Sequence, residues 1–422
     1  MKSALYAAIC ALMLSACGSD AGTPSGEPPV VPPGPGTVVV PEYFSTGFMK
    51  GSTMCFAQYM QDMGLVYREN GVPKDPYASM KEHGANIVRL QLNYEPFGTF
   101  DGAVIDWASW RRVLADARRA KANGLDILLT LKPDADDYSS PTVVHNLVPA
   151  DWKSAAASET ELGDKLHDWV YGVLCDLAAE EIYPRVVAVG NEVNVNFLGV
   201  SQTADASRTG RLLARGFAAV REYAAEYNPN VSTLLHIADP STVAWMVSTV
   251  RAAGCTDFAI VGVSWYPGAD IGHRLGGYAS IGAMCSSLKQ NYGCDAMVLE
   301  TAYTFTTGSV GGEWMGDYCD NAYNYPDWDD ASNAANYTPA AQRAWLGALA
   351  EEIRAAGGAG LVTWGTESLP DLRTGKAEGH GTGLYTYPAR WAYGSTWENN
   401  SYWDFTCENN LHEGIDWMSD VR

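Results

Sequence analysis

The chain predicts a (β/α)8 barrel, a TIM barrel of the α/β class, in one large domain. Short β-branched runs alternate with longer helical patterns, eight strand signals occur in a chain of 422 residues, and no second linker interrupts the segment from Tyr43 to Arg422. The strand signals, in order, are Gly47–Lys50, Asn86–Leu92, Ile127–Leu131, Val186–Gly190, Thr233–Ile237, Ala259–Trp265, Met297–Glu300 and Gly360–Trp364. Between them lie helical patterns such as Trp107–Asn123, Glu161–Glu181, Ser207–Tyr227, Val243–Ala253 and Pro339–Ala356, several ending at a Gly that can close a helix. No self-similar period divides the chain, so a repeat architecture is not expected.

The N-terminus belongs to a different regime. Residues 1–16 carry one basic residue, Lys2, then an apolar run from Ala4 to Leu14 too short to cross a bilayer as a permanent helix, as in an export signal. The run ends in Leu14-Ser15-Ala16-Cys17, which resembles a bacterial lipobox and predicts lipidation at Cys17. Residues 17–42, dense in Pro and Gly, read as a lipidated spacer, and 43–422 as the folded domain. The expectation is an exported lipoprotein on the outer membrane or cell surface, held by its lipid anchor alone and monomeric. Of nine Cys, seven lie in the domain, and Cys285 with Cys294 is the first candidate for a disulfide.

Composition narrows the partners. With 47% apolar and 18% charged residues the chain can bury a large core. Its 28 Lys and Arg against 49 Asp and Glu give a net charge of −21, which repels nucleic acid, anionic lipid and polyuronates. The 14 Trp exceed what a core needs, and flat apolar faces stack well on neutral sugar rings.

In such a barrel chemistry sits at the C-terminal ends of the strands. Those ends carry Arg89 and Asn93, Lys132 and Asp134, Asn191 and Glu192, His236, Trp265 and Tyr266, Glu300, and Trp364 with Glu367. Glu192 and Glu300 each directly close an apolar run. Two carboxylates facing each other across a barrel mouth suit glycoside hydrolysis, in which one donates a proton while the other attacks or stabilises the anomeric carbon. Glu95, Glu313 and Glu367 sit in loops, where a solvated acid is the default. The seven His show no zinc-binding spacing, no serine-hydrolase elbow or dinucleotide fingerprint is present, and neither a metal nor a required cofactor is expected.

Several motifs resemble one family. They are Phe48-Met49-Lys50-Gly51, Tyr67-Arg68-Glu69-Asn70-Gly71, Asn86-Ile87-Val88-Arg89-Leu90, Val189-Gly190-Asn191-Glu192, Val263-Ser264-Trp265-Tyr266-Pro267, Glu300-Thr301-Ala302-Tyr303-Thr304-Phe305-Thr306 and Trp397-Glu398-Asn399-Asn400. The chain is similar to the arabinogalactan endo-β-1,4-galactanases, glycoside hydrolase family 53 of clan A. The resemblance implies Glu192 as acid/base and Glu300 as nucleophile of a retaining mechanism. It also implies Arg89 and Asn191 holding the nucleophile and the sugar 2-hydroxyl, Tyr266 bonding the nucleophile, and Trp364 flooring the cleavage subsite. His236, Trp265, Lys132 and Asp134 complete the expected substrate-binding set. The implied partner is a neutral β-galactan.

The chain departs from the family pattern at Gly51-Ser52-Thr53, where the family has Gly-Ala-Asp, and at Lys132-Pro133-Asp134-Ala135, where it has His-Tyr-Ser-Asp. Lys132 at the mouth favours a substituted or partly charged glycan. The family sometimes binds structural calcium, and the acidic stretches Asp317–Asn321 and Asp327–Asp330 match no ordered calcium pattern. Two other readings stay open: a clan A hydrolase acting on mannan, xylan or glucan, and a non-catalytic glycan-binding lipoprotein on a hydrolase-like barrel.

Overall fold

In the computed structural model, which describes residues 41–95, 98–100, 102–137, 144–266, 278–306, 337–371 and 397–422, each of the eight apolar runs becomes a strand. They are β1 (Met49–Thr53), β2 (Ile87–Glu95), β3 (Asp126–Asp137), β4 (Val186–Val189), β5 (Ser232–Ile237), β6 (Ile260–Ser264), β7 (Asp295–Glu300) and β8 (Gly360–Thr363). Each pairs in parallel with the next, and β8 pairs with β1, so the sheet closes on itself without an edge. The expected (β/α)8 barrel is the observed one.

Strand β1 begins and ends later than Gly47–Lys50. Its register runs Gly51 against Ile87 on one side and Ser52 against Thr363 on the other, so both neighbours extend it through two small polar residues. A Cβ on Gly51 would lie 1.8 Å from the Ile87 carbonyl oxygen, and only glycine lets the two strands approach there.

Helices α1 (Ala57–Asp62) and α2 (Pro76–Glu82) follow β1, α3 (Trp110–Ala122) follows β2, and α4 (Glu159–Ala179) follows β3. After β4 to β7 come α5 (Gln202–Glu226), α6 (Val243–Ala252), α7 (Tyr278–Tyr292) and α8 (Pro339–Ala355). Their starts are chemically marked. Asp75 accepts from the Tyr77 N–H before α2, Ser158 from Glu161 before α4, and Thr338 from Ala341 before α8, each cap contributing about 1 kcal/mol. In α5 the backbone breaks at Asp205 (φ −157°), whose carboxylate accepts from the Arg208 N–H, and regular helix follows from about where the sequence places it.

Alternation along the strands sorts the core into two layers. Met49, Ile87, Leu128, Val186, Leu234, Ile260, Met297, Leu299 and Val362 fill the barrel interior. Their out-facing neighbours, among them Val88, Leu129, Val187, Leu235, Val263, Val298 and Leu361, pack against the helices. This period-2 sorting decides which residues reach the mouth.

Cys285 and Cys294 form no disulfide. Cys285 is buried on α7, while the Cys294 sulfur accepts from the Arg251 guanidinium at 3.1 Å. The signal, the spacer up to residue 40, Cys17, Glu313, Cys319 and the acidic stretches at 317–321 and 327–330 lie outside the described residues. No described helix is long and apolar enough to cross a membrane.

Candidate active site

The interior face of β2 places Arg89 two residues above Ile87, at the point where the apolar filling ends. Its guanidinium is fully buried, and a buried cation needs its hydrogens met. Nη1 donates to Glu300 Oε1 at 2.5 Å, Nη2 to Asn191 Oδ1 at 2.6 Å, and Nε to Thr130 Oγ1 at 3.0 Å. The Trp364 ring lies 5.5 Å from the guanidinium carbon. Arg89 thus joins β2 to groups carried by β3, β4, β7 and β8.

Glu300 reaches this cluster through an irregularity. In β7, Met297 and Leu299 face inward, so strict alternation would turn residue 300 outward. The β6–β7 register jumps from Val263 opposite Val298 to Ser264 opposite Glu300. The extra residue is a β-bulge, which re-aims the following side chain. Glu300 is 6% exposed, and its Oε2 accepts from the Tyr266 hydroxyl at 3.3 Å. Burial and the two nearby carboxylates hold the Tyr266 hydroxyl well above its ordinary pKa, so it remains a donor. Arg89 holds one oxygen of Glu300 and Tyr266 the other, so the carboxylate is ion-paired and oriented.

Glu192 is aimed by the backbone. β4 ends at Val189, and the chain turns through Gly190 (φ 83°) into Glu192 itself at φ 50°, a left-handed conformation uncommon for glutamate. Its Oε1 accepts from Ser264 Oγ at 2.6 Å. Burial first, and the Glu300 charge second, push its carboxyl up to about 7, against the opposing pull of Ser264 and Arg89. The two acids therefore differ in environment: one has an arginine on it, the other a neutral hydroxyl.

One carboxylate oxygen from each of Glu192 and Glu300, together with a His236 ring nitrogen, lie within 4.8 Å of one another. The donor set does not suit a metal ion. Arg89 already neutralises Glu300, and both His236 nitrogens face protein groups: Nε2 faces Ser264 Oγ at 3.0 Å, while Nδ1 faces the Glu192 N–H at 3.3 Å and Asn191 Oδ1 at 3.1 Å. What remains is two carboxyls with an oxygen of each within 4.8 Å of the other.

Of the expected substrate-binding residues, Arg89, Asn191, Tyr266 and Trp364 gather around this pair, and the other four make contacts of their own. His236 is fully buried behind Glu192, with Nδ1 facing the Glu192 backbone N–H and Nε2 facing Ser264 Oγ. Trp265 follows the in-facing Ser264 and so points outward, stacking on Trp345 with centroids 5.6 Å apart and planes 8° from parallel. Lys132 pairs with Asp136 at 2.7 Å, so its charge is met within the protein. Asp134 is fully buried and accepts from the Leu198 N–H, tying the loop after β4 to the end of β3.

Glu367 is not the solvated loop acid expected. It is fully buried, accepts from the Phe56 N–H at 3.3 Å, and burial raises it to about 8. Glu95 holds the Ala150 N–H at 2.6 Å. Sequence reasoning gave no site role to Thr130, nor to Ser264 and Trp397, which it quoted only within family-like motifs. The first two lie two residues before Lys132 and Tyr266, so strand alternation could have found Thr130 and Ser264 as in-facing polar positions. Trp397, in a left-handed conformation (φ 62°), stacks on Tyr266 at 6.0 Å, a contact that joins segments 131 residues apart in sequence.

This arrangement was compared with known proteins. The chain is 26% identical over 374 residues to an arabinogalactan endo-β-1,4-galactanase of Cellvibrio japonicus, covering 87% of this chain and 89% of that one. Its fold matches the GH53 catalytic domain of Ignisphaera aggregans with a TM-score of 0.68 at 22% identity, over 90% of this chain and 99% of that one. It matches a structure from a study of two fungal β-1,4-galactanases with a TM-score of 0.65 at 19% identity, over 88% and 99% respectively. The model of glycosyl hydrolase family 53 matches residues 49–416, from the start of β1 to near the C-terminus and through every residue of the carboxylate pair's surroundings, so the chain belongs to that family and is a glycoside hydrolase.

Proposed function

We propose that this enzyme cleaves β-1,4-galactosidic bonds within galactan side chains such as those of arabinogalactan, with retention of configuration. The observation that carries the reading is the pair Glu192 and Glu300, oxygens within 4.8 Å, one acid held near neutrality and the other paired with Arg89. The names of the relatives support the galactan substrate, and the net charge of −21 favours a neutral glycan over a uronate backbone.

In the first step Glu300 attacks the anomeric carbon as Glu192 gives its proton to the departing glycosidic oxygen, leaving a glycosyl ester on Glu300. In the second, Glu192, now a carboxylate, takes a proton from water, and the hydroxide displaces Glu300. Arg89 pairs with Glu300 and Tyr266 orients it. Asn191, its oxygen held by Arg89, turns its amide NH2 to the sugar 2-hydroxyl, and Trp364 floors the subsite where cleavage occurs.

The test is release of oligosaccharides from galactan, mannan, xylan and β-glucan, with E192Q and E300Q alongside and NMR of the first-formed anomer. Release from galactan as the β-anomer is expected. Equal activity in both variants would sink the mechanism, and release from mannan alone would discard the substrate. We also propose export and lipid anchoring at Cys17, on the strength of Leu14-Ser15-Ala16-Cys17. Labelled-palmitate incorporation lost in C17A checks it.

A further inference from the structure

We propose that Ser264 and His236 form a positioning pair that dictates which oxygen of Glu192 carries the transferable proton. The inference rests on Glu192 being the acid, and deepens that reading.

Ser264 Oγ has one hydrogen and two close neighbours, Glu192 Oε1 at 2.6 Å and His236 Nε2 at 3.0 Å. An ionised carboxylate can only accept, so the serine hydrogen goes to Glu192. The serine lone pair facing the histidine then needs an N–H, which puts the imidazole hydrogen on Nε2. Nδ1 is left with its lone pair, and the backbone N–H of Glu192 points at it from 3.3 Å. Asn191 Oδ1, 3.1 Å from the same nitrogen, accepts from Arg89 and would accept from the imidazole only in the Nδ1–H tautomer, the arrangement that competes with this one. The left-handed backbone at Glu192 is what brings that residue's own N–H and its carboxyl to opposite ends of one imidazole–serine unit.

When Glu192 takes up a proton the pattern need not change. Oε1 still accepts from Ser264, so it is the carbonyl-type oxygen, and the proton resides on Oε2, the oxygen that Ser264 does not hold. In the second step Oε2 receives the proton of the attacking water. No proton moves within the pair in either step; the hydrogens of Ser264 and His236 stay where they are. His236 suits this because, fully buried beside Arg89, it is held well below its ordinary pKa and stays a neutral imidazole.

Two measurements on the full chain test it. With 15N-labelled histidine, and H236N to assign the signal, NMR should show His236 as the Nε2–H tautomer at every pH from about 5 to 9, with no titration. The Nδ1–H tautomer, or an imidazolium, overturns the proposal whatever the enzyme's substrate. In kinetics, S264A should lower kcat/KM on the polysaccharide about 100-fold, but less than about threefold on a 2,4-dinitrophenyl β-galactobioside, whose leaving group departs without a proton. S264T should recover most of the loss. E192Q separates the two levels of the argument. Equal loss on both substrates in E192Q would remove Glu192 as the acid, whereas a selective loss in E192Q with an equal loss in S264A would remove only the positioning role.

Discussion

Ser264 pairs with Glu300 across the β6–β7 ladder one residue later than the preceding pairs require. That single extra residue, Leu299, stays in the barrel core while its neighbour Glu300 also faces in, toward Arg89. The same Ser264 binds the opposite acid, so one strand end sets the position of both carboxyls.

Arg89 is the residue whose loss should be most costly. R89A leaves Glu300 buried without its cation, so we expect a stability loss of about 3–5 kcal/mol. We also expect kcat/KM to fall about 100- to 1000-fold. Urea unfolding and galactan assays read the two effects. R89K, which cannot reach three acceptors at once, should recover stability better than activity.

The pH dependence of kcat/KM should follow Glu192. The acid must be protonated in the free enzyme, and its carboxyl is raised to about 7, so kcat/KM should fall as pH rises through about 7. E300Q removes the Glu300 charge that helps raise it. A direct titration of Glu192 by 13C NMR in E300Q should therefore give a lower midpoint than in the parent.

Glu367 should make stability depend on pH in the opposite sense to an ion-paired acid. Its folded value of about 8 lies above the ordinary 4.5, so between these limits the folded state binds more protons than the unfolded one. Stability from this group is complete below about 4.5 and is lost as pH rises toward 8. The wild type should lose about 1 kcal/mol per pH unit relative to E367Q across that window, as measured by denaturant unfolding at several pH values. A parallel pH dependence in both proteins would contradict it.

Trp364 meets Phe56 edge-on at 5.6 Å and lies beside Arg89. W364A should destabilise the fold by about 3 kcal/mol or more through the cavity it leaves. W364F should keep most of that stability while raising KM for galactan, since a smaller ring offers less face to a sugar. Thermal unfolding and initial rates distinguish the two.

How much of this was open to sequence reasoning follows from the range of each interaction. The barrel, its strand order, Arg89, Asn191, Glu192 and Glu300 were all legible, because β-branched runs alternating with helical patterns force the fold class and strand ends mark the mouth. Those are local properties: a side chain's face follows from its parity along a strand. The bulge before Glu300, the left-handed turn into Glu192, the outward face of Trp265, the Lys132–Asp136 pair and the stacking of Trp397 on Tyr266 were decided only by the tertiary structure. Most of these depend on what a neighbouring strand or loop supplies. Lys132 illustrates the difference: its place at a strand end suggests a substituted or partly charged glycan, and only the structure shows Asp136 paired with it at 2.7 Å.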